Sequence, residues 1–186
     1  MARPKAYDRD AVVRAARDLF WARGYEASSL ADLERATGLN RSSIYQEFGS
    51  KHGLFTSAID NYLTQIARPR LAGLRRAGAG LPEIAAYFAG LAESLRAAPR
   101  YGCLMVNAIT ERAGHDSDVD SAAAGYRAEI TTALAKALRT AQVDGAAGKA
   151  AVLTGLVLGV LVTARLDTGQ AADLAEAAAA QVREWA

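Results

Sequence analysis

Apolar residues recur along this chain every three to four positions, and no stretch shows the two-residue alternation of a half-buried strand. Between residues 8 and 23, Val12, Ala16, Leu19 and Phe20 form one stripe, with Arg9, Arg14, Arg17 and Asp18 mostly off it and Gly24 as a terminator. Ser29 and Asp32 have capping-box spacing, so a second helix is predicted to about Ala36 with Leu30 and Leu33 inward. Thr37-Gly38-Leu39 turns the chain, Asn40 caps a short helix over 41–47, and Gly49 closes it. Ser50 caps a fourth helix carrying Leu54, Ile59, Tyr62, Leu63 and Ile66 to Arg68, where Pro69 is expected to kink or break it.

Further punctuation follows. Gly78–Gly80 loosens the chain, and Pro82 with Glu83 opens a helix that must yield before Pro99. Another covers about 102–113 up to Gly114. The next starts among Asp116, Ser117, Asp118 and Asp120, whose charge suits a helix N-terminus, and runs to about Gln142. Helices over about 146–166 and 170–185 complete an expected all-α fold of about nine helices.

Composition sharpens this picture. Alanine, the strongest helix former, fills 43 of the 186 positions. Cys103 is the single cysteine, which excludes an intrachain disulfide, and with His52 and His115 as the two histidines no metal cluster and no cofactor are expected. The uncharged run Ala150–Ala164 holds 15 residues, about 22 Å of helix against a bilayer core of ~30 Å. No apolar stretch follows the first basic residues, so neither signal peptide nor membrane partner is expected and the cytoplasm is the expected location. The net charge of +2 divides unevenly: residues 1–76 carry 13 basic and 8 acidic side chains, residues 77–186 carry 9 and 12. A basic N-terminal module facing a polyanion fits that split, and so does a chance imbalance on a solvated face.

Residues 28–48 make a helix, a glycine turn and a second short helix, the arrangement that lays a recognition helix in the major groove of DNA. An ordinary helical hairpin has the same outline. The short helix differs from one in carrying Arg41, Ser42, Ser43, Tyr45 and Gln46 as polar donors, while Ile44 and Phe48 hold it to the body with Tyr25.

Gly24-Tyr25, Ser28-Ser29-Leu30, Asp32-Leu33, Gly38-Leu39-Asn40, Ile44-Tyr45, Phe48 and Ser50-Lys51 with Leu54-Phe55 resemble the N-terminal domain of the tetracycline-repressor (TetR/AcrR) family of bacterial transcription regulators. The resemblance covers about residues 8–56. Glu34 and Thr37 depart from the family's usual alanine, and His52-Gly53 from its acidic pair. The resemblance implies a three-helix DNA-binding head over 1–56 and a ligand-binding and dimerisation body over 57–186. Tyr45, Lys51 and Ser28 or Ser29 would hold phosphates; Arg41, Ser42, Ser43 and Gln46 would face bases; and Arg3 and Lys5 would form a short basic arm, the alternative for each being a solvated surface residue.

Pairing of two copies on a palindromic operator follows from the weakness of a single half-site. Residues 146–185 look like the family's intersubunit bundle, with Val152, Gly155, Leu156, Gly159, Val160 and Trp185 as interface candidates. A buried core helix of a monomer has the same pattern. Tyr62, Tyr87, Phe88, Tyr101, Met105 and Tyr126, with Asn107 and Thr110 as polar anchors, are candidate walls of an effector cavity, although core packing is the commoner role for each taken singly. Cys103, near the start of the 102–113 helix and close to Arg100, is a further wall candidate; an inert filler or a redox or electrophile sensor are its two readings.

The function so implied is a ligand-responsive regulator, a repressor by family habit, that releases operator DNA when a small apolar or aromatic effector binds. The alternatives are an architectural or partner-recruiting DNA-binding factor without an effector, and the Cys103 sensor. An enzyme is not expected, because the chain offers no paired histidines, no Ser/His/Asp set and no phosphate-cradling glycine loop.

Overall fold

The computed structural model describes residues 7–97 and 101–185, and all regular structure among them is helical. Helix α1 spans Arg9–Arg23, α2 Leu30–Thr37, α3 Arg41–Phe48 and α4 Lys51–Tyr62. The chain continues without a break through a π-helical turn, Leu63–Ala67, and a 3-10 turn, Arg68–Leu71, into the short α5, Ala72–Arg75. Helices α6 (Leu81–Ala97), α7 (Leu104–Arg112), α8 (Ser117–Thr140), α9 (Ala146–Thr163) and α10 (Thr168–Arg183) follow.

Pro69 changes the pitch of the rod rather than ending it. The Arg68 amide reaches back to Leu63 O across a π turn, and the Ala72 amide to Pro69 O across a 3-10 turn. Proline has no amide hydrogen to lose in the first turn of a new helical segment, so the rod accommodates it there.

Two bodies of packing meet along α4. Helix α1 lies on α4 through Val12, Ala16 and Phe20 against Leu54, Phe55 and Ala58, all buried, with the Phe20 and Phe55 rings edge to face at 5.0 Å. In the C-terminal body α6 packs on α10, and α9 on both α8 and α10. Helix α10 buries Ala171, Ala172, Ala175, Ala178 and Ala179, and such small side chains let the α6 and α10 backbones run close together. The alanine enrichment is thus a packing device as well as a helix former.

Helix α9 is 18 residues with a mean hydropathy of 1.8, long and apolar enough by length and composition to cross a membrane. It exceeds the uncharged run read from the sequence because its first turn includes Lys149. Its buried side, with Leu153, Val157, Val160 and Leu161, packs on α8 and α10.

Candidate nucleic-acid interface and effector cavity

The start of α2 is fixed by the expected capping box. Ser29 Oγ accepts from the Asp32 amide at 3.1 Å, and Asp32 Oδ2 accepts from the Ser29 amide at 3.0 Å and the Ser29 hydroxyl at 2.6 Å. The Ser29 hydroxyl, then the Ser29 amide, hold the Asp32 carboxyl down at about 2. Gly38 then takes φ +71°, the left-handed conformation that turns the chain into α3. Asn40 Oδ1 accepts from the Ser43 amide at 2.9 Å, and Glu34 Oε1 accepts from the Arg41 amide. Leu33 and Ile44, both fully buried, lock the two helices to the head.

With Ile44 inward, Arg41, Ser42, Tyr45 and Gln46 are exposed and Ser43 is half-buried. The Arg41 guanidinium lies over the Tyr45 ring at 5.6 Å. On the far side of α3 the Tyr7 hydroxyl donates to Glu47 at 2.7 Å and Arg9 Nε at 3.0 Å, and the Arg9 guanidinium covers the half-buried Phe48 ring at 5.2 Å. Helix α3 is therefore braced on three sides and free on one. Ser28 corrects the sequence reading: it is fully buried and its hydroxyl donates to Gly24 O at 2.6 Å, so it offers nothing to a phosphate. Ser29 remains at the surface with its hydroxyl engaged by Asp32. Arg3, Lys5 and Arg100 lie outside the described residues.

Lys51 is half-buried, with Nζ 4.3 Å from the centroid of the Tyr25 ring, and burial lowers the pKa of its ammonium. The Arg112 guanidinium lies 4.9 Å from the same ring and pairs with Glu26 at 2.7 Å. Beside it, Glu111 Oε2 accepts from the Tyr25 amide at 2.7 Å and from the Glu26 amide at 3.4 Å. Gly24 makes this approach possible: φ is +88°, and a Cβ there would stand 1.9 Å from Glu111 Oε1. The last turn of α7 thus grips the α1–α2 turn of the head.

A second tie joins His52 at the start of α4 to Asp116, the N-cap of α8, at 2.9 Å. Burial pushes the Asp116 carboxyl up, but the Val119 amide and His52 outweigh it and leave the pKa lowered. His52, Asp116 and Asp118 bring ligand-type atoms within 4.8 Å of one another, a grouping that sequence spacing did not suggest. Arg112 Nε, buried and without a hydrogen-bond partner among the described residues, lies 3.5 Å from Asp116 Oδ2, so positive charge is already present there.

A cavity of about 350 Å³ opens between α7, α8 and α9. Cys103, Met105 and Tyr126 line it as the sequence suggested, joined by Val106, Ile109, Asp120, Ala123, Ala124, Arg127, Leu158 and Leu161. The remaining candidates lie elsewhere. Tyr62 and Phe88 are fully buried in the core, and Tyr87 lies at its edge beside Arg70 and Pro82. Tyr101 is exposed, Asn107 spends its amide on Tyr101 O at 2.8 Å, and exposed Thr110 donates to Asn107 O. The missed wall is legible afterwards: Asp120, Ala123, Ala124 and Arg127 share one face of α8 at helical spacing.

Helix α9 leaves an apolar stripe uncovered. Val152 is 63% exposed, Val162 48% and Leu166, just past its end, 77%. Gly155 and Gly159 lie between them, and a Cβ on either would meet open space. Spacings of three and four residues put Val152, Gly155, Gly159 and Val162 on one seam, with Leu166 just beyond its end. Leu156 and Trp185 are half-buried, with Lys149 Nζ 4.9 Å over the Trp185 ring. Val160 is fully buried within the chain itself, which removes it from the interface candidates.

Comparison with known proteins accords with this geometry. A sequence description of bacterial regulatory proteins of the tetR family matches residues 12–58. The HTH-type transcriptional repressor ComR of Escherichia coli K12 is 39% identical over 119 residues, 63% of this chain and 57% of its own length. The HTH-type transcriptional repressor BdcR of the same organism is 33% identical over 139 residues, 70% of this chain and 66% of its own. The chain therefore spans somewhat more than half the length of the curated relatives it matches. Among solved structures, the TetR family transcriptional regulator CifR, a double cysteine mutant complexed with 26-bp operator DNA, superposes with a TM-score of 0.82. It is 30% identical, over 99% of this chain and 100% of its own. Reduced NemR of E. coli, at 20% identity and a TM-score of 0.80, shares the fold. With the whole length of a 30% identical member matched, the chain belongs to the TetR family of bacterial regulatory proteins.

Proposed function

We propose that the chain is a transcriptional repressor that binds a palindromic operator as a homodimer, through a head of residues 1–56, and releases it when a small effector enters its body, residues 57–186. The observation that carries this reading is the free face of α3. Four exposed polar side chains stand on a helix whose other sides are pinned by Ile44, Glu47 and Phe48. Arg41 and Gln46 are suited to bidentate contact with guanine and adenine, and Tyr45 and Lys51 to phosphates. That CifR, alike over its full length, was solved on operator DNA supports the same partner here.

The test is retention of genomic fragments by the purified protein, followed by titration at rising salt. A specific palindrome whose affinity falls linearly on a log–log salt plot is the expected result. Absence of any specific fragment refutes the reading.

The seam on α9 supports pairing of two copies, since it is apolar, continuous and lets backbones approach at Gly155 and Gly159. The cavity favours an effector-responsive protein over an architectural factor, because three of its lining residues, Met105, Val106 and Ile109, belong to α7. Helix α7 ends in the Glu111 and Arg112 grip on the head. An effector that favours a displaced α7 shifts the population toward a head orientation that no longer fits both half-sites.

Cys103 supports a second trigger at the same place. It is buried in the cavity wall, and burial, then the nearby thiol, raise the pKa of the Tyr62 hydroxyl. CifR, alike over its full length, was solved with cysteine substitutions. Replacement of Cys103 by serine with an unchanged response to oxidants would rule that trigger out.

A further inference from the structure

Resting on the effector-site reading above, we infer that the α7–α8–α9 cavity selects an amphipathic organic anion, an apolar body with one carboxylate-like head, and that Arg127 is the residue that reads the head.

The apolar part follows from the walls, which are Met105, Val106, Ile109, Leu158 and Leu161 around a space of about 350 Å³, within the size range of small-molecule sites. Charge enters from α8 alone, through Asp120 and Arg127. The two lie seven residues apart, about 10 Å along the helix. Asp120 is already engaged: both its oxygens lie 3.2 Å from the Gly114 amide in the turn that precedes α8. The guanidinium of Arg127 makes no hydrogen bond or ion pair among the described residues, and only its backbone carbonyl is used, by Thr131. Elsewhere on the body the arginines beside acidic groups are taken up, Arg68 and Arg75 by Glu129 and Arg96 by Glu176 and Asp173. Both charges lack an ion pair among the described residues, but Asp120 is held to the backbone at the start of α8, whereas Arg127 is exposed with every guanidinium donor open to a ligand.

A guanidinium presents a planar fork that pairs with both oxygens of a carboxylate, and the low-polarity wall beside it strengthens that pair relative to open water. A cationic amphiphile is repelled by Arg127, and the Asp120 carboxylate that could answer it is tied to the Gly114 amide. A neutral alcohol fills the same wall but gains no charge-assisted bond.

Octanoate, octanol and octylammonium serve as matched probes, titrated into DNA-free protein. Trp21 provides the signal, since its indole donates to Gly102 O at 3.1 Å, next to Cys103 in the cavity wall. Octanoate is expected to bind about tenfold or more tighter than octanol, with octylammonium weakest. Arg127→Gln should erase the octanoate preference while leaving octanol affinity within about twofold. Arg139→Gln, the same charge change at the far end of α8, should leave the preference intact. Equal binding of octanoate and octanol, an unchanged preference in Arg127→Gln, or no binding of any probe overturns the inference. Release of bound operator is measured separately: octanoate binding through Arg127 without release upholds the site and counts against the regulatory reading instead.

Discussion

Replacement of Gly24 by alanine probes the grip between body and head directly. At φ +88° and ψ 172° the backbone lies in a region that is essentially glycine-only, so any side chain costs about 1–3 kcal/mol there. The new Cβ would also stand 1.9 Å from Glu111 Oε1, which no real contact permits. The carboxylate must leave, and with it the bonds from the Tyr25 and Glu26 amides, worth about 1 kcal/mol each for typical net hydrogen bonds and less for the longer one. The sum is about 3–4 kcal/mol, or a fall of roughly 10 °C in Tm for a domain of this length. Glu111→Ala alone removes the bonds without the strain. Gly24→Ala in a Glu111→Ala background should therefore cost only the backbone part, about 2 kcal/mol, leaving a coupling of about 1–2 kcal/mol in a thermal or chemical denaturation cycle. An identical Gly24→Ala penalty in both backgrounds refutes the steric reasoning. Operator titration of Glu111→Ala supplies the functional arm: DNA affinity should survive, and effector-driven release should weaken.

Ile44→Ala removes the fully buried anchor of an eight-residue helix and should cost about 3 kcal/mol by denaturation, with loss of operator binding. Lys51→Ala should weaken operator and non-specific DNA alike and reduce the salt slope by about one, whereas Gln46→Ala should relax discrimination at one base pair. Val152→Glu, on a side chain 63% exposed, should alter folding stability by no more than about 0.5 kcal/mol while shifting sedimentation toward a monomer and weakening operator affinity. Asp32 has a folded pKa depressed from 3.8 to about 2, so its stabilisation is fully present above about pH 4 and is lost as pH falls through about 2. The Tm gap between the protein and Asp32→Asn should thus be constant near neutrality and close on acidification; a gap that widened would contradict the capping-box account.

The head was legible because its signals are local. Ser29 with Asp32, Gly38 and Asn40 each act within four residues of themselves, and all cap or turn as read. The body was less so, because its features depend on which helix faces which. Tyr62 and Phe88 look like cavity aromatics by type, yet they pack into the core, while the cavity is walled by aliphatic residues from α7, α8 and α9. Val160 and Val162 are alike in sequence and opposite in exposure, a difference of two positions on a helix that is apolar almost all round. Ser28 and Ser29 are equally suited to a phosphate by chemistry, and only the closing of the α1–α2 turn on Ser28 separates them. Glu111 was silent because its partners are backbone amides some 85 positions away, and backbone amides leave no pattern in a sequence.

The π turn at Leu63–Ala67 has a consequence for changes of chain length. A π turn is an α-helix that has absorbed one extra residue, the helix on either side keeping its direction. Loss of one residue within 63–67 would therefore close the rod into ordinary α-helix and leave Leu71 and Leu74 facing the core they now fill. Loss of one residue within Lys51–Tyr62 has no such slack, and would turn everything beyond it by about 100°. The rod thus has one stretch where its length can change by a residue while the head stays in phase with the body.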